Sequence, residues 1–288
     1  MGVALAVDIG GTKVSAGLVD DRGSLLVRHD VPTPVTTDPE VMWSAVASAV
    51  DAVGVASAEV CGVGCGGPMR DGLVSPLNIP AWRDFPLKDR LVAHLELEVE
   101  LDNDAKALAL GEGWVGAAAG ERNFIGMVVS TGIGGGIILD GRLLDGAAGN
   151  AGHIGHVIVE PDGHWCGCGA RGCVEAEASG TAIRAITGGA PADAPIELRI
   201  RTGTLVGRAI ASVANLLDLR LAVVAGSVAL GYGEPFFRSA QAEIDERARL
   251  SFSAGTLVRP AGLGADGPLI GAAAVGFRYL PLSPTAHP

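Results

Sequence analysis

Val3-Ala4-Leu5-Ala6-Val7-Asp8-Ile9-Gly10-Gly11-Thr12-Lys13-Val14-Ser15-Ala16-Gly17-Leu18-Val19-Asp20 opens the chain with an apolar run, a glycine pair and a second apolar run. Val3 to Val7 and Val14 to Val19 are short and bounded by turn residues, so they read as two strands joined by a tight turn. Leu25 to Val27 follows the turn signal Asp20 to Gly23 and is a third strand. The same device recurs in mid-chain. Phe124 to Ser130 runs into Ser130-Thr131-Gly132-Ile133-Gly134-Gly135-Gly136, and a strand follows over Gly136 to Leu139. Two comparable halves are therefore expected.

Outward from these turns, apolar residues recur on one face of a helix that starts at Pro39 after Asp38. Similar periodicity predicts helices over Leu87 to Leu97, Asp104 to Val115, Leu205 to Leu217, Pro235 to Leu250 and Leu269 to Tyr279. Further strands are predicted over Val60 to Cys65, Val99 to Leu101, Leu221 to Ala225 and Thr256 to Val258. Strands alternating with helices define an α/β protein, and the hairpin-like opening predicts a mixed sheet. Thr187 to Pro195, rich in Gly, Ala and Pro, is predicted to be a surface loop.

The chain has 288 residues, 48% of them hydrophobic and 18% charged, which excludes a disordered polymer. Its 43 glycines follow no collagen period, but 13 of them crowd into residues 132–172. A net charge of -11 opposes binding to nucleic acid or to anionic membranes, so neither is an expected partner. No apolar run reaches the ~18 residues of a membrane span, and the N-terminus lacks a basic secretory start. A cytoplasmic location is expected. Three of the five cysteines, Cys166, Cys168 and Cys173, lie close together, which suits metal ligation better than a disulfide framework.

The two glycine turns can converge backbone N–H groups on an anion such as a phosphate. Thr12, Ser130 and Thr131 add hydroxyl donors, and Asp8 could orient a hydrated magnesium. The alternative is a pair of plain hairpin turns. Neither is a Walker loop, because no Gly-Lys-Ser/Thr follows at the required spacing. Two Gly-x-Gly-x-x-Gly matches, at Gly62 and Gly262, lack the context of a dinucleotide fold: the first runs into Pro68, and the second has no acidic residue about 20 positions on. Leu101-Asp102-Asn103-Asp104-Ala105 places carboxylates and an amide between a strand and a helix. Such a group can act as general base toward a bound hydroxyl, or simply cap the helix.

His153-Ile154-Gly155-His156 and His164-Trp165-Cys166-Gly167-Cys168-Gly169-Ala170-Arg171-Gly172-Cys173 supply three thiolates and three candidate imidazoles. Three thiolates with one imidazole make a closed, structural zinc site. Spacing alone does not choose among His153, His156 and His164. Cys61 and Cys65 have no ligands nearby and are read as core residues.

Asp8 to Lys13, Ser130 to Gly136 and Cys166-Gly167-Cys168-Gly169-Ala170-Arg171-Gly172-Cys173-Val174-Glu175 together resemble the signatures of the ROK (repressor, open reading frame, kinase) family. The resemblance runs from Val3 to about Gly276. It implies the actin-like, ribonuclease-H-like ATPase fold, with two α/β domains flanking a cleft. The expected domains are 1–103 plus 269–288, with the last helix returning to the first domain, and 104–268.

The resemblance also implies roles. Asp8, Gly10, Gly11, Thr12 and Lys13, with Thr131, Gly132, Gly134 and Gly135, would hold the ATP phosphates and magnesium, and Gly226-Ser227 would lie near the adenosine. Asp104 would take the proton from a sugar 6-hydroxyl as it attacks the γ-phosphate. Gly67, Asn78, Asn103, His153, His156 and Glu175 would bind the sugar. His156, Cys166, Cys168 and Cys173 would bind a structural zinc.

Many glucose kinases of the family have Glu where this chain has His153. Ala151 to His156 and Gly226 to Val228 are similar instead to the N-acetylmannosamine kinases of the family. The expected substrate is therefore a hexose or N-acetylhexosamine, N-acetylmannosamine first and glucose as the alternative. Family repressors carry an additional N-terminal DNA-binding segment, whereas this chain opens on its first strand. Thr187 to Pro195 is short relative to the family; a homodimer or homotetramer is the expected assembly.

Overall fold

The computed structural model describes residues 2–278. Tyr279, the expected end of the last helix, and residues 280–288 of the predicted 269–288 segment lie outside the described residues. The chain divides into two compact units: one runs to Val115 and adds Gly146–Asn150 and the chain from Ala265, and the other comprises Gly116–Asp145 and Ala151–Gly264.

In the first unit the opening stretch forms β1 (Val3–Ile9), β2 (Lys13–Asp20) and β3 (Leu25–Pro32), an antiparallel meander. Helix α1 (Pro39–Val53) follows, and its N-terminus is closed by Asp38, whose carboxylate accepts the Glu40 N–H at 2.8 Å. Met42, Val46, Ala49 and Val50 form its buried face. Next come β4 (Val60–Cys65), a short hairpin of β5 (Met69–Arg70) and β6 (Leu73–Val74), helix α2 (Leu87–Leu95), β7 (Val99–Asn103) and helix α3 (Asp104–Val115). The main sheet has the order β3-β2-β1-β4-β7, with β1, β4 and β7 parallel.

Every residue of β4 is buried, and Cys61 and Cys65 belong to this core as expected. On the other face of the sheet the last described helix, Gly267–Phe277, packs against Ala4, Ala6 and Val60. A Cβ on Gly62 would sit 1.9 Å from the Ala272 carbonyl oxygen, so only glycine permits this approach. Gly62→Ala is expected to cost about 3 kcal/mol, since backbone on both sides must move; chemical denaturation of the variant beside the wild type measures it. The first unit takes in Asp104–Val115 because α3 lies on the same last helix, where Gly271 meets the Ala107 backbone.

The second unit repeats the topology. Strands β8 (Phe124–Val129), β9 (Ile133–Leu139) and β10 (Arg142–Leu143) are antiparallel. Helices α4 (Val174–Ala178), α5 (Gly180–Thr187) and α6 (Ile196–Leu217) lead to β11 (Leu221–Ala225), then α7 (Ser227–Tyr232), α8 (Glu234–Arg247) and β12 (Leu257–Pro260). The sheet order β10-β9-β8-β11-β12, with β8, β11 and β12 parallel, matches the first unit strand for strand. The two glycine turns occupy the equivalent β1–β2 and β8–β9 positions. This duplicated mixed sheet is the actin-like ATPase fold.

Two expectations are revised. Helix α6 starts at Ile196, well before Leu205. Its glycines pack rather than break: a Cβ on Gly203 would meet the Phe236 carbonyl at 2.3 Å, and one on Gly207 the Ala240 carbonyl at 2.4 Å, so α6 and α8 touch closely there. Strand β9 begins at Ile133, with Gly134 and Gly135 inside the strand rather than before it. Thr187 to Pro195 is largely exposed, as expected of a surface loop, and includes a single helical turn at Pro191–Asp193. None of the described helices is long and apolar enough to cross a membrane.

Candidate active site

In the first unit the candidate residues gather where the parallel strands end. Registers Asp8↔Gly64 and Gly64↔Asp102 set Asp8 and Asp102 in one row across β1, β4 and β7. The chain beyond each strand carries the turn at Gly10 to Thr12, the pair Gly66-Gly67, and Asp104. Ligands of open α/β sheets bind at such carboxyl ends.

The first turn is closed by the Gly10 N–H donating to the Lys13 carbonyl at 2.9 Å, and the Thr33 hydroxyl donates to the Gly10 carbonyl at 2.7 Å. Lys13 Nζ lies 3.4 Å from Asp30. A Cβ on Gly11 would be 2.8 Å from the Cβ of Asn78, so this turn and Asn78 are in direct contact. Burial and the negative charge of Asp104, only partly offset by Lys13 and Arg28, push the Asp8 carboxyl up to about 7.

Asn103 serves two ends. Its side-chain carbonyl accepts the Ala105 N–H at 3.0 Å, which is the capping role, while its amide nitrogen lies 3.3 Å from where a Cβ on Gly67 would be. Asp104, the exposed first residue of α3, has its main chain against Gly64, as does the Asp8 carboxylate. The structure thus brings Asp8, Gly10 to Lys13, Gly67, Asn78, Asn103 and Asp104 into this one unit.

In the second unit Thr131 is exposed at the β8–β9 turn. That turn is anchored from behind. Its Ser130 and Thr131 carbonyls accept the N–H groups of Gly180 and Thr181 at 2.7 and 3.1 Å, and the Ser130 and Ser227 hydroxyls are 3.0 Å apart. Gly226, at φ 100°, lies against the Val129 carbonyl, where a Cβ would approach to 2.3 Å. Glu175 accepts the Ile133 N–H at 3.0 Å beside Gly132. Gly134 lies within β9, and Gly135 packs on Gly152, which leads into His153. The exposed rings of His153 and His156 face each other at 6.1 Å and 28°.

His156, Cys166, Cys168 and Cys173 bring their donor atoms within 4.8 Å of one another. Cys166 Sγ is 3.7 Å from His156 Nδ1, and Cys168 Sγ is 3.7 Å from Cys173 Sγ. Zinc bonds to sulfur and nitrogen give tetrahedral edges of roughly 3.5–3.8 Å, so the donor set and its spacing fit zinc. A metal on Nδ1 leaves Nε2 of His156 as the donor toward a ligand.

His164 is not part of this cluster. Its backbone N–H donates to Glu177 Oε1, and its ring Nδ1 lies 3.0 Å from the same oxygen. Arg201 Nη2 donates to Glu177 Oε2 at 2.6 Å. Sequence reasoning missed Glu177, a fully buried carboxylate that ties the cysteine loop to α6. Burial alone would raise its pKa, but Arg201 and the two His164 donors outweigh it and hold the carboxyl below the usual range. A depressed folded pKa stabilises above the unfolded value of about 4.3 and loses that contribution as pH falls through the folded one. The melting-temperature gap between wild type and Glu177→Gln is therefore expected to be widest above about pH 5 and to narrow in acid; melts across that range check it.

Residues 4–277 match the ROK family, and the chain belongs to it. It is 44% identical over 188 residues to a glucokinase of Streptomyces coelicolor, an alignment covering 64% of this chain and 58% of that protein. The chain thus spans less than two thirds of that relative's length. It is 36% identical over 247 residues to an N-acetylmannosamine kinase of Citrobacter koseri, covering 80% of this chain and 84% of the relative. A ROK glucokinase of Streptomyces griseus, solved with glucose and AMPPNP, superposes with a TM-score of 0.80 at 31% identity, covering 96% of this chain and 100% of that one.

Proposed function

We propose that the protein is an ATP- and magnesium-dependent hexose kinase acting on the 6-hydroxyl of N-acetylmannosamine. The observation that carries the kinase reading is the grouping of Asp104, Asn103 and Gly67 with Asp8 and the Gly10 to Lys13 turn at the carboxyl ends of three parallel strands. Phosphoryl transfer asks mainly for positioning and charge neutralisation, and this grouping offers both. Asp104 accepts the proton of the sugar 6-hydroxyl. That oxygen bonds to the γ-phosphorus as the bond to the β–γ bridging oxygen breaks, and ADP leaves. The backbone N–H groups of each glycine turn, with Thr12 in the first unit and Thr131 in the second, would serve phosphate oxygens; Asp8 would orient magnesium when it is bound, and Gly226 and Ser227 would flank the adenosine.

Asn78, Asn103 and the Gly67 backbone are the proposed sugar contacts of the first unit, and His153, His156 and Glu175 those of the second. Zinc held by His156, Cys166, Cys168 and Cys173 would act structurally, with all four positions filled and none left for water. His153 supports the N-acetylmannosamine choice: an imidazole can donate to an acetamide carbonyl, where a carboxylate would repel it. The similarity to glucokinase keeps glucose as the second substrate.

A coupled ADP-release assay across N-acetylmannosamine, glucose, mannose, N-acetylglucosamine and allose tests both levels. The highest kcat/KM is expected for N-acetylmannosamine. Turnover of glucose alone would remove that substrate, and turnover of no hexose would remove the kinase.

A further inference from the structure

Asp102 and Lys106 are 5% and 2% exposed, and Lys106 Nζ lies 3.1 Å from Asp102 Oδ1. They bracket Asn103 and Asp104 at the junction of β7 and α3. A buried ion pair is costly unless its remaining hydrogen-bonding capacity is used, and here it is. Asp102 Oδ1 also accepts the Asn103 N–H at 2.8 Å, and Asp102 Oδ2 pairs with Arg278 Nη1 at 3.1 Å. Lys106 Nζ donates to the Gly149 carbonyl at 3.0 Å.

Gly149 belongs to Gly146–Asn150, the short segment that the first unit takes from mid-chain. It adopts φ 74°, a left-handed conformation natural to glycine. Three residues, Asn150, Ala151 and Gly152, separate it from His153. One ammonium group therefore fixes the backbone beside Asp104 and, through Gly149, the start of the chain that leads to the two histidines.

We propose that Lys106 is a positioning residue: clamped between Asp102 and the Gly149 carbonyl, it holds the β7–α3 junction and the 146–150 segment in register, which orients Asn103 and Asp104. The proposal rests on the kinase reading for its catalytic consequence but not for the clamp.

The test compares Lys106→Met, Lys106→Arg and the doubly neutral Asp102→Asn/Lys106→Met with wild type, in the full chain. Misplacement of a reacting group by about 1 Å costs roughly a hundred-fold, so Lys106→Met is expected to lower kcat to that degree with KM for ATP little changed. Lys106→Arg should restore part of it. The double variant, which removes both members of the buried pair and leaves only the partly exposed Arg278 without its carboxylate, should fold and remain slow, which covers the case in which Lys106→Met does not fold. A lower melting temperature with wild-type kcat would reduce Lys106 to a structural role and overturn the proposal.

Amide hydrogen exchange reads the clamp without turnover. Peptides covering residues 103–107 and 149–156 should exchange on the order of tenfold faster in Lys106→Met or the double variant, in keeping with the loss of a charge-assisted hydrogen bond. Unchanged exchange there would overturn the clamp. A wild type that phosphorylates no hexose yet shows this exchange response would refute the kinase reading alone.

Discussion

Asp104→Asn is expected to lower kcat by about 10²–10⁴, the range for loss of a positioned general base. The substitution keeps the shape of the side chain and its acceptance from the Ala105 N–H, which Asp104 Oδ1 makes at 2.8 Å. The junction should hold, and the sugar dissociation constant measured by calorimetry should change only a few-fold, because Asn103 and its contact with Gly67 are untouched. Retention of more than a tenth of wild-type kcat would remove Asp104 as the base.

Cys173→Ser is expected to have the second large effect. Cys173 is fully buried and immediately precedes α4, which carries Glu175. Loss of its thiolate should take zinc from about one per chain to about none, and lower the melting temperature because metal binding no longer favours the folded loop. Activity should fall by about 10–100-fold, as when groups that orient a metal site are lost, for two reasons. His156 would lose the ligand sphere that the proposed zinc gives its ring. Glu175 loses the anchor that sets it against the Ile133 N–H and Gly132. Elemental analysis beside kinetics measures both, and folded wild type without zinc would contradict the metal assignment.

Much of the fold was legible because its signals are local. The alternation around Gly10-Gly11, and again around Gly132, fixes two strand–turn–strand units, and Asp38-Pro39 marks a helix start. Where the reading fell short, the deciding contact is distant in sequence. Helix α6 extends N-terminal to Leu205, and Gly203 in that stretch is explained by its contact with α8. Gly180 opens α5 because a Cβ there would lie 2.9 Å from the Ser130 carbonyl, a contact that nothing in Val174 to Gly180 announces.

The site divides the same way. The cysteine cluster was legible from composition and spacing, but the choice among His153, His156 and His164 was not, since it turns on Glu177, a buried acceptor on α4 that engages His164. Resemblance to the family supplied His156, and the ligand distances agree with it. Lys106 sits in an otherwise apolar stretch, Ala105 to Leu110. Its burial is accounted for by partners such as Asp102 four residues back and Gly149 more than forty residues on.

Phosphorus NMR of a mixture of ATP, magnesium and N-acetylmannosamine with a catalytic amount of the protein follows the phosphoryl group itself. Stoichiometric loss of the γ-phosphate signal is expected, matched by ADP and a sugar phosphate ester coupled to the C6 protons. Unchanged ATP, or inorganic phosphate with no sugar ester, would contradict it.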